Sequence, residues 1–272
     1  MLFLKSNKLR ELIRKGEPTL GIHVLCSWPG VVEMIGSTGE IDYVEFVGEY
    51  APFDLYSLEN IARACELTGI SSMMKIDQQP RTFLAQRALG SGIQNLLFAD
   101  IRNVAEAEEC LRAVKMETPE DKGVHGCHSR RSVGYGLEGG SKEYVKATNE
   151  TVIAFMIEKK SAVDNLEEIL SLKRVDMVQF GPCDYSISLG IPGEFNHPKV
   201  KEAELKTIKT AIKMGIRPRV ELGWQFTKEE VQKYSDLGVV DFCNGTDLEI
   251  LYGWTKEKMP AVRHVLKDIR KR

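Results

Sequence analysis

No uninterrupted hydrophobic stretch among the 272 residues approaches the ~18 residues that a membrane span needs. Blocks of one charge are also missing, since 37 basic and 39 acidic residues are interspersed and give a net charge of −2. Without a basic patch, the chain lacks the electrostatic footprint of a nucleic-acid-binding protein. We therefore expect a protein that binds neither membranes nor nucleic acids.

The six cysteines form no CxxC pair and no regular spacing. In a chain of this length, scattered cysteines are typical of reduced thiols rather than of a disulfide framework. The opening Met-Leu-Phe-Leu is followed at once by charge and is too short for the apolar region of a signal peptide. We expect a soluble, cytoplasmic protein.

Short apolar runs alternate with helical patterns along most of the chain. The predicted strands span 20–26, 43–47, 71–76, 93–98, 218–222 and 239–243, with two more between 151 and 181. Eight strand–helix alternations at about 25-residue spacing predict an α/β protein that is a closed (β/α)8 TIM barrel rather than an open sheet. We expect one domain over residues 1–272, with an N-terminal helix that closes the base and a C-terminal helical extension.

Two acidic residues follow neighbouring predicted strands. Glu158 ends the run V-I-A-F-M-I-E, and Asp184 comes shortly after the run V-D-M-V-Q-F. The strand–helix–strand unit that joins them has a right-handed crossover, so both carboxylates point into one mouth. Because neighbouring carboxylates repel without a cation, we predict that this pair binds a divalent metal through oxygen ligands. The alternative is that both are solvated rim residues in unrelated positions.

The alternation breaks over residues 115–149, a glycine-rich stretch that is too long for a plain connection. Loops of this length are commonly functional, and this one is expected to cover the mouth if it begins on the C-terminal face. Its H-x-C-H pattern at 125–128 lacks the second cluster of a soft-metal site. We favour Arg130 or Arg131 reaching toward an anionic group of a substrate. The alternative is that these are solvated loop charges.

Five motifs occur in order: G-E-Y-A-P-F-D, Q-N-L-L-F, I-E-K-K-S-A-V-D-N-L-E-E-I-L, F-G-P-C-D-Y-S-I-S-L-G and N-H-P-K-V. With them, the chain resembles the HpcH/HpaI family of metal-dependent 2-oxo acid aldolases, represented by 4-hydroxy-2-oxoheptanedioate aldolase, from Leu20 to Tyr252. The resemblance implies that Glu158 and Asp184 bind Mg²⁺, Mn²⁺ or Co²⁺. It also implies aldol cleavage or formation on pyruvate or a related 2-oxo acid, because a divalent cation stabilises the enolate that carbon–carbon cleavage creates.

Further expectations come from the same resemblance. The backbone at Gly181 and Pro182 is expected to approach the substrate closely, since glycine leaves room for it. A homo-oligomer, trimer or hexamer, is implied, and the C-terminal helix is a candidate for exchange between subunits.

The chain departs from the family where proton transfer is expected. The family pattern D-G-E-H-A-P reads V-G-E-Y-A-P here, so Val47 and Tyr50 replace the aspartate–histidine pair that serves as acid and base. His23, at the end of the first predicted strand, is the candidate replacement base because an unperturbed imidazole titrates near neutral pH. The alternative is a packed histidine. Tyr50 is a better acid or hydrogen-bond donor than base, or a structural rim residue.

Three substrate-binding positions also differ from the family. Lys75 replaces an arginine at the end of the third strand, which keeps the charge but loses the bidentate fork. Met156 replaces a glutamine two residues before Glu158, and Lys122 replaces a loop arginine. Because the metal pair is kept while its neighbours change, we expect an altered substrate or proton-transfer scheme.

The function expected from the sequence is a divalent-metal-dependent aldolase with altered acid/base residues. Two alternatives remain open: an enol-forming or condensing enzyme acting on pyruvate or phosphoenolpyruvate, and a non-catalytic keto-acid binder.

Overall fold

Parallel strands form one closed sheet in the computed structural model, which describes residues 5–269. The strands are β1 (Thr19–Val24), β2 (Tyr43–Val47), β3 (Ser71–Ile76), β4 (Asn95–Phe98), β5 (Ile153–Ile157), β6 (Met177–Phe180), β7 (Arg217–Leu222) and β8 (Asp241–Thr246). Each strand pairs with the next along the chain, and β8 pairs with β1. The predicted (β/α)8 TIM barrel is confirmed.

Helices surround this sheet and connect its strands. They are α1 (Lys8–Lys15), α2 (Pro29–Gly36), α3 (Leu55–Thr68), α4 (Arg81–Ser91), α5 (Val104–Val114), α6 (Lys142–Asn149), α7 (Lys160–Asp164), α8 (Leu166–Leu170), α9 (Pro182–Ser188), α10 (Pro198–Lys213), α11 (Lys228–Ser235) and α12 (Asp247–Ile269). Asn103 and Thr227 cap α5 and α11 with their side chains, as Asn and Thr commonly do. Within residues 5–269, no helix combines the length and apolarity of a membrane span.

The segment from Asn7 through α1 lies at the base of the barrel, where the strands begin. The Asn7 amide donates a hydrogen bond to Asn95 Oδ1 at 2.7 Å. In α1, both terminal nitrogens of Arg10 donate to the Asp176 carboxylate at 2.6 Å. Such a two-fold, charge-assisted contact fixes direction as well as distance. The first helix is thereby attached next to the starts of β4 and β6.

Side chains inside the barrel change from apolar to polar toward the other end. Tyr43 and Met177 are fully buried, and two residues further along the same strands come Glu45 and Gln179, which are buried as well. Arg219 of β7 joins this polar level and is 2% exposed. Because side chains alternate along a strand, residues two apart point to the same side. A buried polar layer therefore lies beneath the mouth.

The segment 115–149 lies at the base and not at the mouth. Every strand runs toward the mouth and every helix returns, so a segment that follows α5 begins on the base side. There Arg131 pairs with Glu66 of α3 at 2.6 Å, and Arg130 donates to a backbone carbonyl of α4 at 2.7 Å. The condition for covering the mouth, a start on the C-terminal face, is therefore not met, and Arg130 and Arg131 do not reach the mouth within their own chain.

Candidate active site

A cavity of about 320 Å³ opens at the C-terminal ends of the strands. This is the end of a TIM barrel that carries catalytic residues, and the volume suits a small molecule. The ionisable and phenolic side chains that line it come from four strands, from the loop after β2 and from α12: His23, Glu45, Tyr50, Lys75, Glu221 and Glu249. All three predicted catalytic residues, His23, Tyr50 and Lys75, are thus brought together at one cavity.

Glu158 directly follows β5 and is 2% exposed. Its Oε1 accepts a hydrogen bond from the backbone N–H of Asp100 at 2.8 Å. Burial raises the pKa of the Glu158 carboxyl to about 7, although the charge of Lys75 and this hydrogen bond lower it. Among residues 5–269, no lysine, arginine or histidine forms an ion pair with Glu158. A buried carboxylate of this kind is well suited to bind a cation.

Two more carboxylates lie near Glu158 and share one ammonium group. The Lys159 Nζ is 2.6 Å from Asp100 Oδ1 and 2.7 Å from Asp184 Oδ1. Asp184 lies in the first turn of α9, and its charge, like that of Asp100, raises the pKa of Glu158. Three carboxylates therefore cluster at the ends of β4, β5 and β6. A divalent cation at this cluster would require Lys159 to move aside or to share these oxygens.

The backbone at Gly181 packs directly against Glu158. A Cβ at this position would lie 2.6 Å from Glu158 Oε2 and 3.0 Å from Met156 Cε, distances that a side chain cannot adopt without displacing its neighbours. Pro182 follows as the first residue of α9. Met156, Gly181 and Pro182 are thus placed with Glu158, while their contact with a substrate stays a prediction.

Lys75 is a buried cation at the side of the cavity. It is 7% exposed, its Nζ lies 2.6 Å from Glu49 Oε2, and it donates to the Tyr50 hydroxyl at 3.3 Å. Burial lowers its pKa, but the charges of Glu158 and Glu49 outweigh burial and raise the pKa above its usual value. Burial also raises the pKa of Tyr50 to about 12. At neutral pH the pair is therefore an ammonium beside a neutral phenol.

A ring of five side chains lies at the level of the polar layer: Arg219, Glu45, His23, Glu221 and Gln179. We call it the buried ring, because all of its members except Glu221 are buried. Arg219 contacts Glu45 Oε2 at 2.5 Å and donates from Nε to Gln179 Oε1 at 2.6 Å. Gln179 Nε2 donates to Glu221 Oε2 at 2.7 Å. His23 closes the ring, with Nε2 at 3.5 Å from Glu45 Oε1 and Nδ1 at 3.8 Å from Glu221 Oε1.

The electrostatics of the buried ring differ from what the sequence suggests for His23. Burial lowers its pKa, but Cys243, Glu45 and Glu221 outweigh burial and raise it to about 10. In the same way, Arg219 and His23 overcome burial and lower the pKa of Glu45. The expectation of an unperturbed imidazole is therefore wrong, because the ring holds His23 in its charged form.

A second group of candidate metal ligands overlaps this ring. Potential ligand atoms of His23, Glu45 and Cys243 lie within 4.8 Å of one another, and all three residues are buried. However, Arg219 already occupies Glu45 Oε2, and a guanidinium next to a ligand repels a cation. The carboxylate cluster at Glu158 is therefore the better site for a divalent ion.

Lys122 lies away from the cavity. It is exposed, in the turn that follows α5 at the base, and its backbone N–H donates to Thr118 O at 2.9 Å. The mouth is at the opposite end of the barrel. The prediction that Lys122 binds the substrate is therefore not supported within its own chain.

Sequence reasoning missed three residues at the mouth. Asp100 and Lys159 complete the carboxylate cluster, and Glu221 lines the cavity. Asp100 follows a predicted strand just as Glu158 does, so the same signal was present for it. Glu221 lies two residues after the buried Arg219 in R-P-R-V-E-L, but its importance depends on contacts with β1 and β6 that no local pattern shows.

Comparison with known sequences gives consistent matches. A family model described as HpcH/HpaI aldolase/citrate lyase matches residues 22–228. The 2-keto-3-deoxy-L-rhamnonate aldolase of Escherichia coli (strain K12) is 28% identical over 214 residues, which cover 77% of this chain and 78% of that protein. The hydroxypyruvate/pyruvate aldolase of Delftia acidovorans is 26% identical over 259 residues, covering 91% and 89%.

Solved structures with similar folds are only distantly related in sequence, so their likeness to this chain shows the fold alone. An HpcH/HpaI aldolase from Desulfitobacterium hafniense DCB-2 has a TM-score of 0.85 and 22% identity, covering 95% of this chain and 97% of that chain. Macrophomate synthase has a TM-score of 0.83 and 20% identity, covering 99% and 93%.

Proposed function

The chain belongs to the HpcH/HpaI aldolase/citrate lyase family, and on this basis we propose that it is a divalent-metal-dependent lyase that cleaves or forms a carbon–carbon bond in a 2-oxo acid. The observation that carries the proposal is the buried Glu158 carboxylate, clustered with Asp184 and Asp100 at three strand ends. A ligand set made only of carboxylate oxygens suits Mg²⁺ or Mn²⁺ and accepts Co²⁺.

The side chains around the cavity fit this chemistry. When bound, a divalent cation would polarise the 2-oxo group and stabilise the negative charge of the enolate. Lys75, held by Glu49, would bind the substrate carboxylate, and the neutral Tyr50 hydroxyl would donate a hydrogen bond to it. The side chains of Lys75 and Glu49 are only 9% and 14% exposed, so water screens their ion pair little.

The substrate class follows from the relatives and from the changed residues. The two similar proteins are named for aldol reactions of a 2-keto-3-deoxy sugar acid and of hydroxypyruvate or pyruvate. With Val47 and Tyr50 in place of the family's aspartate and histidine, we expect weak turnover of 4-hydroxy-2-oxoheptanedioate and better turnover of another 4-hydroxy-2-oxo acid. The condensing-enzyme and binding-protein alternatives are less well supported, because these relatives are named aldolases.

The assembly and location remain predictions. None of the described residues of α12 is buried, and Leu251, Tyr252 and Trp254 are each more than half exposed. A second copy of the chain that covers this apolar helix fits the expected trimer or hexamer, and sedimentation of a monomer alone would contradict it. Cytoplasmic location is proposed from the scattered, unpaired cysteines.

Deuterium exchange into the methyl group of pyruvate tests the proposed function. Enolate formation is half of the aldol reaction, and it needs only the cation, Lys75 and a proton acceptor. We expect NMR in D₂O to show loss of the methyl signal with Mg²⁺ or Mn²⁺ and no loss after chelation. If pyruvate bound but showed no exchange with either Mg²⁺ or Mn²⁺, this result would contradict an aldolase and favour a binding protein.

A further inference from the structure

An aldol reaction needs a group that takes up a proton, and Tyr50 is not suited to do so. Its hydroxyl accepts a hydrogen bond from Lys75 at 3.3 Å, and burial raises its pKa to about 12. A phenol of this kind is neutral at neutral pH and donates its own proton. Tyr50 therefore cannot replace the basic histidine of the family.

His23 is unsuited for a different reason. Its Nδ1 lies 3.2 Å from the carbonyl oxygen of Gly245, and its Nε2 lies 3.5 Å from Glu45 Oε1. Both ring nitrogens face acceptors, so each carries a proton, and no lone pair is left to accept another. The charges agree, since protonated His23 and Arg219 balance the carboxylates of Glu45 and Glu221 within the buried ring.

The remaining candidate in the ring is Glu221, at the end of β7. Both Glu221 and Glu45 line the cavity, but the Glu221 side chain is 48% exposed, whereas the Glu45 carboxylate is 1% exposed and paired with Arg219. Gln179 holds Glu221 Oε2 at 2.7 Å, while Oε1 lies 3.8 Å from the nearest His23 nitrogen. One oxygen is thus fixed, and the other remains able to accept a proton from a ligand.

We propose that Glu221 is the group that accepts and returns the proton in the aldol reaction, a role that rests on the proposed function. In cleavage, Glu221 Oε1 takes the proton of the C4 hydroxyl, and the electron pair of that O–H bond forms the C4 carbonyl. The C3–C4 bond breaks, and its electrons form the C2–C3 double bond of the enolate. Glu221 then returns the proton to C3, which gives an aldehyde and pyruvate without any further reactant.

The rest of the buried ring positions this carboxylate. Gln179 is itself held by Arg219 at 2.6 Å, and Arg219 is 2% exposed, so the amide cannot turn without breaking a buried contact. The positive charge of His23 lies 3.8 Å from Oε1 and attracts the Glu221 carboxylate toward this side of the ring. His23, Gln179 and Arg219 are therefore positioning residues in this scheme.

Glu249 is the rival carboxylate and supplies the matched control. It lies in the first turn of α12, also lines the cavity and is exposed. Unlike Glu221, it makes no contact with the buried ring among the described residues. If a position at the mouth were enough for a proton acceptor, either carboxylate could serve. If contact with the buried ring is also required, only Glu221 of these two can serve.

The experiment compares deuterium exchange into pyruvate in the wild type, Glu221→Gln, Glu221→Asp and Glu249→Gln, all loaded with Mn²⁺. We expect Glu221→Gln to exchange at least ~100-fold more slowly, the usual effect of losing a general base, with Glu221→Asp partly active and Glu249→Gln at the wild-type rate. Binding of oxalate, a mimic of the enolate, should be unchanged in calorimetry, because Glu221 is not needed to hold it.

Two results would overturn the proposal while leaving the proposed function intact. One is exchange by Glu221→Gln at the wild-type rate, and the other is slow exchange that is fully explained by weaker oxalate binding. Slow exchange in Glu249→Gln instead would assign the role to α12 and also overturn it. Absence of exchange in the wild type would overturn the proposed function itself, and this proposal with it.

Discussion

The Glu158→Gln variant is expected to lose divalent-cation binding while the metal-free protein stays at least as stable as the wild type. Glutamine keeps the shape of the side chain and its hydrogen bond to Asp100, but removes the negative charge that a cation needs. Outer-shell changes alone cost ~10–100-fold in affinity, so loss of a ligand should exceed ~100-fold. Calorimetric titration with Mn²⁺ measures the affinity, and thermal unfolding without metal measures the stability.

The expected stability of the metal-free Glu158→Gln variant follows from the burial of Glu158. A carboxylate that is 2% exposed and has no ion-pair partner within residues 5–269 destabilises the metal-free fold when it is ionised. The neutral amide removes this cost, so the melting temperature should not fall. Glu249→Gln, at the exposed rim, is the control and should bind Mn²⁺ like the wild type. An unchanged affinity in Glu158→Gln would mean that the cation binds elsewhere.

The Lys75→Met variant should lower kcat/KM for pyruvate exchange by about 100-fold, mainly through a higher KM. A hydrogen bond to a charged group contributes up to about 3 kcal/mol, which corresponds to that factor. Lys75→Arg should keep part of the activity, since it retains the charge. Steady-state exchange rates over a range of pyruvate concentrations give both constants.

A separate effect on folding has to be distinguished here, because Lys75→Met also leaves Glu49 without its cation at 2.6 Å. The double variant Lys75→Met/Glu49→Gln removes both charges and should recover stability without recovering activity. If activity returned in the double variant, Lys75 would be a structural residue and not a substrate ligand.

The barrel was predictable because its signals are local. The predicted strand bounds at 43–47 and 71–76 match the structure, since apolar runs act within a few residues. The last strand, expected at 239–243, instead spans Asp241–Thr246. The residues that the prediction missed, 244–246, are polar or glycine, but Asn244 Oδ1 accepts a hydrogen bond from the backbone N–H of Leu222 in β7 at 3.1 Å, a long-range contact. The family resemblance, and with it the expectation of an aldolase-type enzyme, is confirmed.

The face on which segment 115–149 lies was predictable as well, although the expectation left open where the segment begins. In an alternating barrel, a connection after a strand lies at the mouth and one after a helix lies at the base. The segment follows α5, and its residues Arg131 and Lys122 accordingly lie at the base. Whether a connection follows a strand or a helix gives the correct face of the barrel, whereas the composition of the loop does not.

The charge of His23 could not be predicted in this way. Its raised pKa depends on Glu45 from β2, Glu221 from β7 and Cys243 from β8, which meet only when the sheet closes. A difference of one residue in register would turn Glu45 away from the barrel interior. Acid and base roles within a barrel therefore depend on the register in which distant strands pair, and a local sequence pattern does not specify that register.

A crystal structure with Mn²⁺ and oxalate tests the central claim most directly. We expect an anomalous peak at about 2.1 Å from oxygens of Glu158 and Asp184, with oxalate beside Lys75 and the Lys159 ammonium displaced from Asp184. A peak at His23, Glu45 and Cys243, with Lys159 still between Asp100 and Asp184, would contradict the account.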